Sequence, residues 1–141
     1  MNILLDTNVI LDLLLARKPY VAEAKEIFIL LENHTLQGYM CATTVTTLHY
    51  LIGREKSKKE ADNIIKTLLK LFSVTEVNKE VLLLACSQNG TDYEDAVIYC
   101  SCESKEIVYI ITRDKKGFKH AQVPTLTPKE FLAFFNMQRE M

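Results

Sequence analysis

A three-layer α/β/α sandwich around a mainly parallel sheet is the fold that the 141-residue sequence predicts. Two observations carry it. Short apolar runs of strand length recur along the chain, and each is followed by a segment with helical spacing. NILL (residues 2–5) stops abruptly at Asp6, as a strand buried on both faces does. NVILDLLLAR reads as a helix stopped by Lys18-Pro19. VAEAKEIFILLENH follows with Val21, Ala24, Ile27, Phe28 and Leu31 on one stripe. GYMCAT, opened by Gly38, is the second expected strand, and TVTTLHYLIGRE a short helix despite its threonines. KSKKEADNIIKTLLKLF is strongly amphipathic, with Ala61, Ile64, Ile65, Leu68, Leu69 and Phe72 at helical spacing. SVTEV is the third strand, NKEVLLLACSQ a helix ended by Asn89-Gly90, and TDYEDAVIYC opens another helix. IVYIIT is the clearest β run, and a weaker VPTLT precedes a last helix from Pro128.

No repeat, low-complexity tract or long linker divides the chain, so residues 1–141 are read as one domain. Hydrophobic residues at 48% can build one core, and a formal net charge of −1 excludes a global basic field for nucleic acid or membrane. No apolar run approaches the ~18 residues of a membrane span, and MNILLD lacks the charge pattern of a signal peptide. Cys41, Cys86, Cys100 and Cys102 show neither C-x-x-C pairing nor a histidine partner spacing. Reduced core thiols in a cytoplasmic protein are therefore expected.

Acidic residues concentrate where such a sheet gathers ligands, at the carboxyl ends of its strands. Asp6 ends the first strand, Asp114 follows the fourth, and Asp92, Glu94 and Asp95 open a helix. Capping accounts for some of them. Asp6 can cap the following helix, Thr91 and Glu94 match a capping box, and Asp114 can begin a turn. Capping leaves Asp95 unexplained at the edge of an apolar run. Clustered carboxylates also raise one another's proton affinity unless a cation neutralises them. Oxygen ligands without Cys or His support favour Mg²⁺ or Mn²⁺ over zinc, and such an ion can activate water against a phosphodiester.

These segments, LLDTNVILDLLL, DYEDAVIYCSCES and YIITRDKKGF, together resemble the PIN domain family, in particular the VapC-type toxins of toxin–antitoxin modules. The resemblance spans nearly the whole chain. It implies a Rossmann-like sandwich, a divalent-metal endoribonuclease using metal-activated water, a homodimer, and a small antitoxin partner. By the same resemblance Asp6, Asp95 and Asp114 are the catalytic and metal-binding acids, supported by Thr7, Asn8 and Thr112. The family pattern also expects a glutamate in the helix after the second strand, where TTVTTLHYLIG has no carboxylate and Leu48 or His49 falls at about that place. Either Asp92 or Glu94 completes the metal shell, or the metal is held weakly, or the protein is not an active nuclease; His49, flanked by Leu48, Tyr50 and Leu51, could replace the glutamate but reads first as a partly buried helix residue. Arg113, Lys115, Lys116 and Lys119 surround Asp114 and are the expected RNA-backbone contacts. Arg54, Lys56, Lys58 and Lys59 read as solvated surface. Two other functions compete. A haloacid-dehalogenase-like phosphatase wants D-x-D, but this chain has DTN; a PIN-like module that binds RNA or protein without cutting is favoured by the missing glutamate.

Overall fold

The first strand shows how the layers are divided. In β1 (Asn2–Leu5) Ile3 and Leu5 point into one apolar cluster and Leu4 into another, because successive side chains of a strand leave on opposite faces. The structure is a computed structural model describing residues 1–103 and 105–140. Its five strands, β1, β2 (Gln37–Cys41), β3 (Phe72–Thr75), β4 (Tyr109–Ile111) and β5 (Thr125–Leu126), form one sheet in the order β3-β2-β1-β4-β5. Every pairing is parallel.

The larger cluster buries α1 (Thr7–Leu14), α2 (Val21–Glu32), α3 (Ala42–Glu55), α4 (Lys58–Leu71) and α7 (Pro128–Arg139), through residues such as Ile10, Ile27, Leu48, Leu68 and Phe131. The opposite cluster belongs to α5 (Lys79–Cys86) and α6 (Tyr93–Cys100), closed by Phe118 of a 3-10 helix, Lys115–Phe118. The sandwich expected from the alternation is therefore the observed architecture. Gly38 has a packing reason: a Cβ there would lie 2.8 Å from the Phe72 ring and 2.9 Å from Leu31. Cys41, Cys100 and Cys102 are buried free thiols as expected, whereas Cys86 is exposed. No helix among the described residues is long and apolar enough to cross a membrane.

Two departures shape the site. GYMCAT does not continue as a strand through Thr43; α3 begins at Ala42 directly after β2, without a loop. Its threonine-rich first turns are helical because tertiary packing overrides a weak propensity, with Thr44 and Leu48 buried beneath them. Asp92, not Thr91, is the N-cap of α6 and accepts from the Asp95 amide at 3.3 Å, so the expected Thr91–Glu94 capping box does not form. β1 is hydrogen-bonded to β2 on one side and β4 on the other, so the connections leave it in opposite directions. A crevice opens at the carboxyl end of β1, between α3 and α6, on the sheet edge where an open parallel sheet binds ligands.

Candidate functional site

Asp6 occupies that crevice. It is 6% exposed and caps α1, its Oδ1 accepting from the Thr7 amide at 2.8 Å. Its own amide donates to the Ile111 carbonyl at 2.9 Å, tying the end of β1 to β4. Its Oδ2 accepts from the Thr112 hydroxyl at 2.7 Å. The wholly buried Thr112 Oγ1 in turn accepts from Asn8 Nδ2 at 3.3 Å and from the Asp114 amide at 3.1 Å. Thr7 donates its hydroxyl to Thr44 Oγ1 at 3.1 Å, so α3 joins the same network. Asn8 is thus engaged as a scaffold, which agrees poorly with the D-x-D phosphatase alternative.

Asp95 enters from the first turn of α6 and lines, with Asp6, Glu94, Thr44 and Thr47, a cleft of about 250 Å³. Burial raises the Asp95 carboxyl to about 6, and the charges of Asp6, Asp92, Asp114 and Glu94 add to the rise. The Asp6 carboxyl is also raised, chiefly by burial, against the lowering effect of its Thr112 and Thr7 hydrogen bonds. Asp114 raises it further and Arg113 opposes this. Acids distant in sequence therefore share one electrostatic neighbourhood. Asp114 itself is exposed at the start of the 3-10 helix. Gly117 of that helix lies directly against Asp95: an added Cβ would overlap the carboxylate. Glu94 lines the cleft, whereas Asp92 is exposed and its side chain caps α6.

By donor type and charge these carboxylates suit a hard divalent cation. Their arrangement is open, since among the described residues no three His, Cys, Asp or Glu are close enough to hold an ion. The helix position expected to carry a glutamate faces elsewhere. Leu48 is core, and His49 Nε2 lies 2.6 Å from Asp62 Oδ1 on α4, so neither supplies a ligand to the cleft. Thr44 and Thr47 present hydroxyls there instead.

The basic residues divide. Arg113 donates from Nε to Asp12 Oδ2 at 2.6 Å and from Nη2 to Oδ1 at 3.2 Å, and Lys115 pairs with Glu130 at 3.0 Å. These two have internal carboxylate partners; Lys116 and Lys119 are exposed, with no ion pair among the described residues. The sequence reading overlooked Asp12 and Gly117. The signal for Asp12 was an acid inside the apolar run NVILDLLL; nothing in the sequence marked Gly117.

A PIN domain family model matches residues 2–116. Ribonuclease VapC1 of Aquifex aeolicus is 27% identical over 140 residues, 96% of each chain. Among solved structures, Mycobacterium tuberculosis VapC20, described as a sarcin-ricin loop cleaving toxin, has a TM-score of 0.69 at 17% identity, covering 89% of this chain and 99% of its own. FitAcB from Neisseria gonorrhoeae has a TM-score of 0.67 at 23% identity, covering 90% and 98%. VapBC-1 from nontypeable Haemophilus influenzae has a TM-score of 0.67 at 20% identity, covering 92% and 99%.

Proposed function

The chain belongs to the PIN domain family, and from that premise we propose that it is a divalent-metal-dependent endoribonuclease, the toxin half of a toxin–antitoxin pair. The observation that supports the reading is that Asp6 and Asp95 line one cleft while the charge of Asp114 reaches both, burial and mutual repulsion raising Asp95 to about 6. Such crowding is costly in an ion-free protein and is relieved by a cation. The ribonuclease name of the Aquifex aeolicus relative supports the substrate class. Toxin–antitoxin complexes among similar folds support a small antitoxin as partner. Homodimerisation belongs to the same reading.

In this mechanism Asp6, Asp95 and Asp114 would hold Mg²⁺ or Mn²⁺ once drawn together around it, with Glu94 from the cleft wall assisting. When bound, the ion supplies a low-pKa water and stabilises charge on the phosphate. The protein's contribution is orientation. Thr112 fixes the Asp6 carboxylate and the Asp114 backbone through one hydroxyl. Asn8 restrains Thr112 and the Arg113 amide at 3.3 Å each. Lys116 and Lys119 attract the RNA backbone through sequence-independent charge. Asp92 serves better as the α6 cap than as a ligand.

A second reading, a PIN-like module that binds RNA or protein without cleaving it, is favoured by the open acid arrangement and by threonines facing the cleft from α3. Titrating Mn²⁺ against the purified protein separates the two. The nuclease reading expects a thermal shift that disappears in Asp6→Asn and Asp95→Asn, together with loss of Mn²⁺-dependent RNA cleavage. RNA binding that ignores the metal, with intact RNA throughout, sinks it in favour of the module.

A further inference from the structure

Asp12 is an anomaly in the fold. It lies in the middle of α1, 1% exposed, among residues that build the apolar core. A buried carboxylate is strongly unfavourable unless a cation meets it with good geometry. Arg113 does so with a two-pronged contact of 2.6 and 3.2 Å. The Tyr20 ring lies under the guanidinium, 3.9 Å from its carbon to the ring centroid. Arg17 stands further off, 3.9 Å from Asp12 Oδ1. A planar fork held at one edge and stacked on one face has little rotational freedom left, which a lysine could not reproduce.

The position of Arg113 in the chain gives this pair its importance. Its neighbours are Thr112, which holds the Asp6 carboxylate, and Asp114, the acid of the 3-10 turn. Asn8 and Asp12 are one helical turn apart and share a face of α1. Asn8 accepts from the Arg113 amide at 3.3 Å, and Asp12 takes its side chain. The helix that Asp6 caps therefore grips the residue before Asp114 at both backbone and side chain. The Thr112 hydroxyl ties only the Asp114 amide to Asp6, and the grip on Arg113 adds a second restraint on the exposed turn that carries the Asp114 side chain.

We propose that Asp12 and Arg113, braced by Tyr20, form a positioning pair that sets Asp114 against Asp6, and that Arg113 is not a phosphate contact. The pair rests on the nuclease reading for its catalytic consequence, but the placement of Asp114 does not. An apolar pair of similar size often replaces a buried ion pair at little cost in stability. The double variant Asp12→Leu/Arg113→Met therefore separates packing from positioning. Arg113→Lys is the conservative companion, keeping the charge while losing the fork.

Both variants, with wild type, are assayed for steady-state RNA cleavage in Mn²⁺ at several salt concentrations. Their Asp114 amide resonances are compared by NMR without metal, with circular dichroism as the fold control. Both are expected to fold and to lose kcat by on the order of 10- to 100-fold, the scale of a misplaced reacting group, while KM stays within about 3-fold. The Asp114 amide resonance is expected to shift or broaden in each. A raised KM at unchanged kcat, with a shallower salt dependence, would overturn the proposal in favour of a phosphate contact. An unmoved Asp114 resonance in both folded variants would also overturn it. Should the double variant fail to fold, Arg113→Lys alone decides by the same criteria. Should wild type cleave no RNA, the nuclease reading fails while the resonance still decides the positioning claim.

Discussion

Replacing Asp95 by Asn should make the metal-free protein more stable near pH 8 and leave it about unchanged at pH 4. The carboxyl is raised from 3.8 to about 6 by burial and by four neighbouring acids. A rise of that size corresponds to about 3 kcal/mol before screening. Asp95 is only half-buried, and solvent screening reduces the effect to roughly 1–1.5 kcal/mol. Asp95 also sits in the first turn of α6, where a negative charge is worth about 0.3–1 kcal/mol against the helix dipole. The difference is a net stabilisation of roughly 0–1.2 kcal/mol in the variant. For a chain of this length that is a melting-temperature rise of up to about 4 °C.

The direction with pH follows from the raised value. Below 3.8 the acid is neutral in both folded and unfolded chains, so it costs nothing; above about 6 it is ionised in both, and the folded state bears the full penalty. Wild-type stability contributed by this group is thus lost as pH rises through about 6, and Asn, always neutral, escapes the loss. Urea unfolding of both proteins in EDTA between pH 4.5 and 8 measures it. A variant less stable than wild type at pH 8, or a difference that does not change with pH, would refute the repulsion account and leave Asp95 as a helix-cap residue.

Other perturbations test the same site from different sides. Thr112→Val keeps shape but removes the donor to Asp6 and the acceptor for Asp114 and Asn8, so urea unfolding should register a loss of about 2–4 kcal/mol. Because Asp6 is already raised by burial, that loss should deepen as pH rises from 4 to 8. Gly117→Ala forces Asp95 and the 3-10 helix apart. The variant should keep its circular dichroism spectrum and lose RNA cleavage by roughly 10-fold or more; wild-type cleavage would mean that the contact is irrelevant. Asp114→Asn should abolish cleavage with a melting temperature within about 2 °C of wild type, since an exposed turn residue contributes little to folding.

The order of strands and helices and the sandwich were legible in the sequence, because each depends on a local signal. NILL followed by Asp6, the amphipathic stripe through Ala61, Ile64 and Leu68, and IVYIIT each express a periodicity that survives without knowledge of their neighbours, whereas Phe72, expected on that stripe, opens β3. Capping was less legible: Thr91 and Asp92 both offer an oxygen, and only the folded start of the helix shows that Asp92 takes the cap. What tertiary structure alone decided is which charge meets which. Arg113 and Lys115 look free for a ligand in sequence, yet Asp12 and Glu130 hold them through contacts from other elements. His49 turns to Asp62, and Gly117 makes room for Asp95. An ion pair or a close approach has no period and no composition; it exists only where two distant backbones bring their side chains to the same few ångströms.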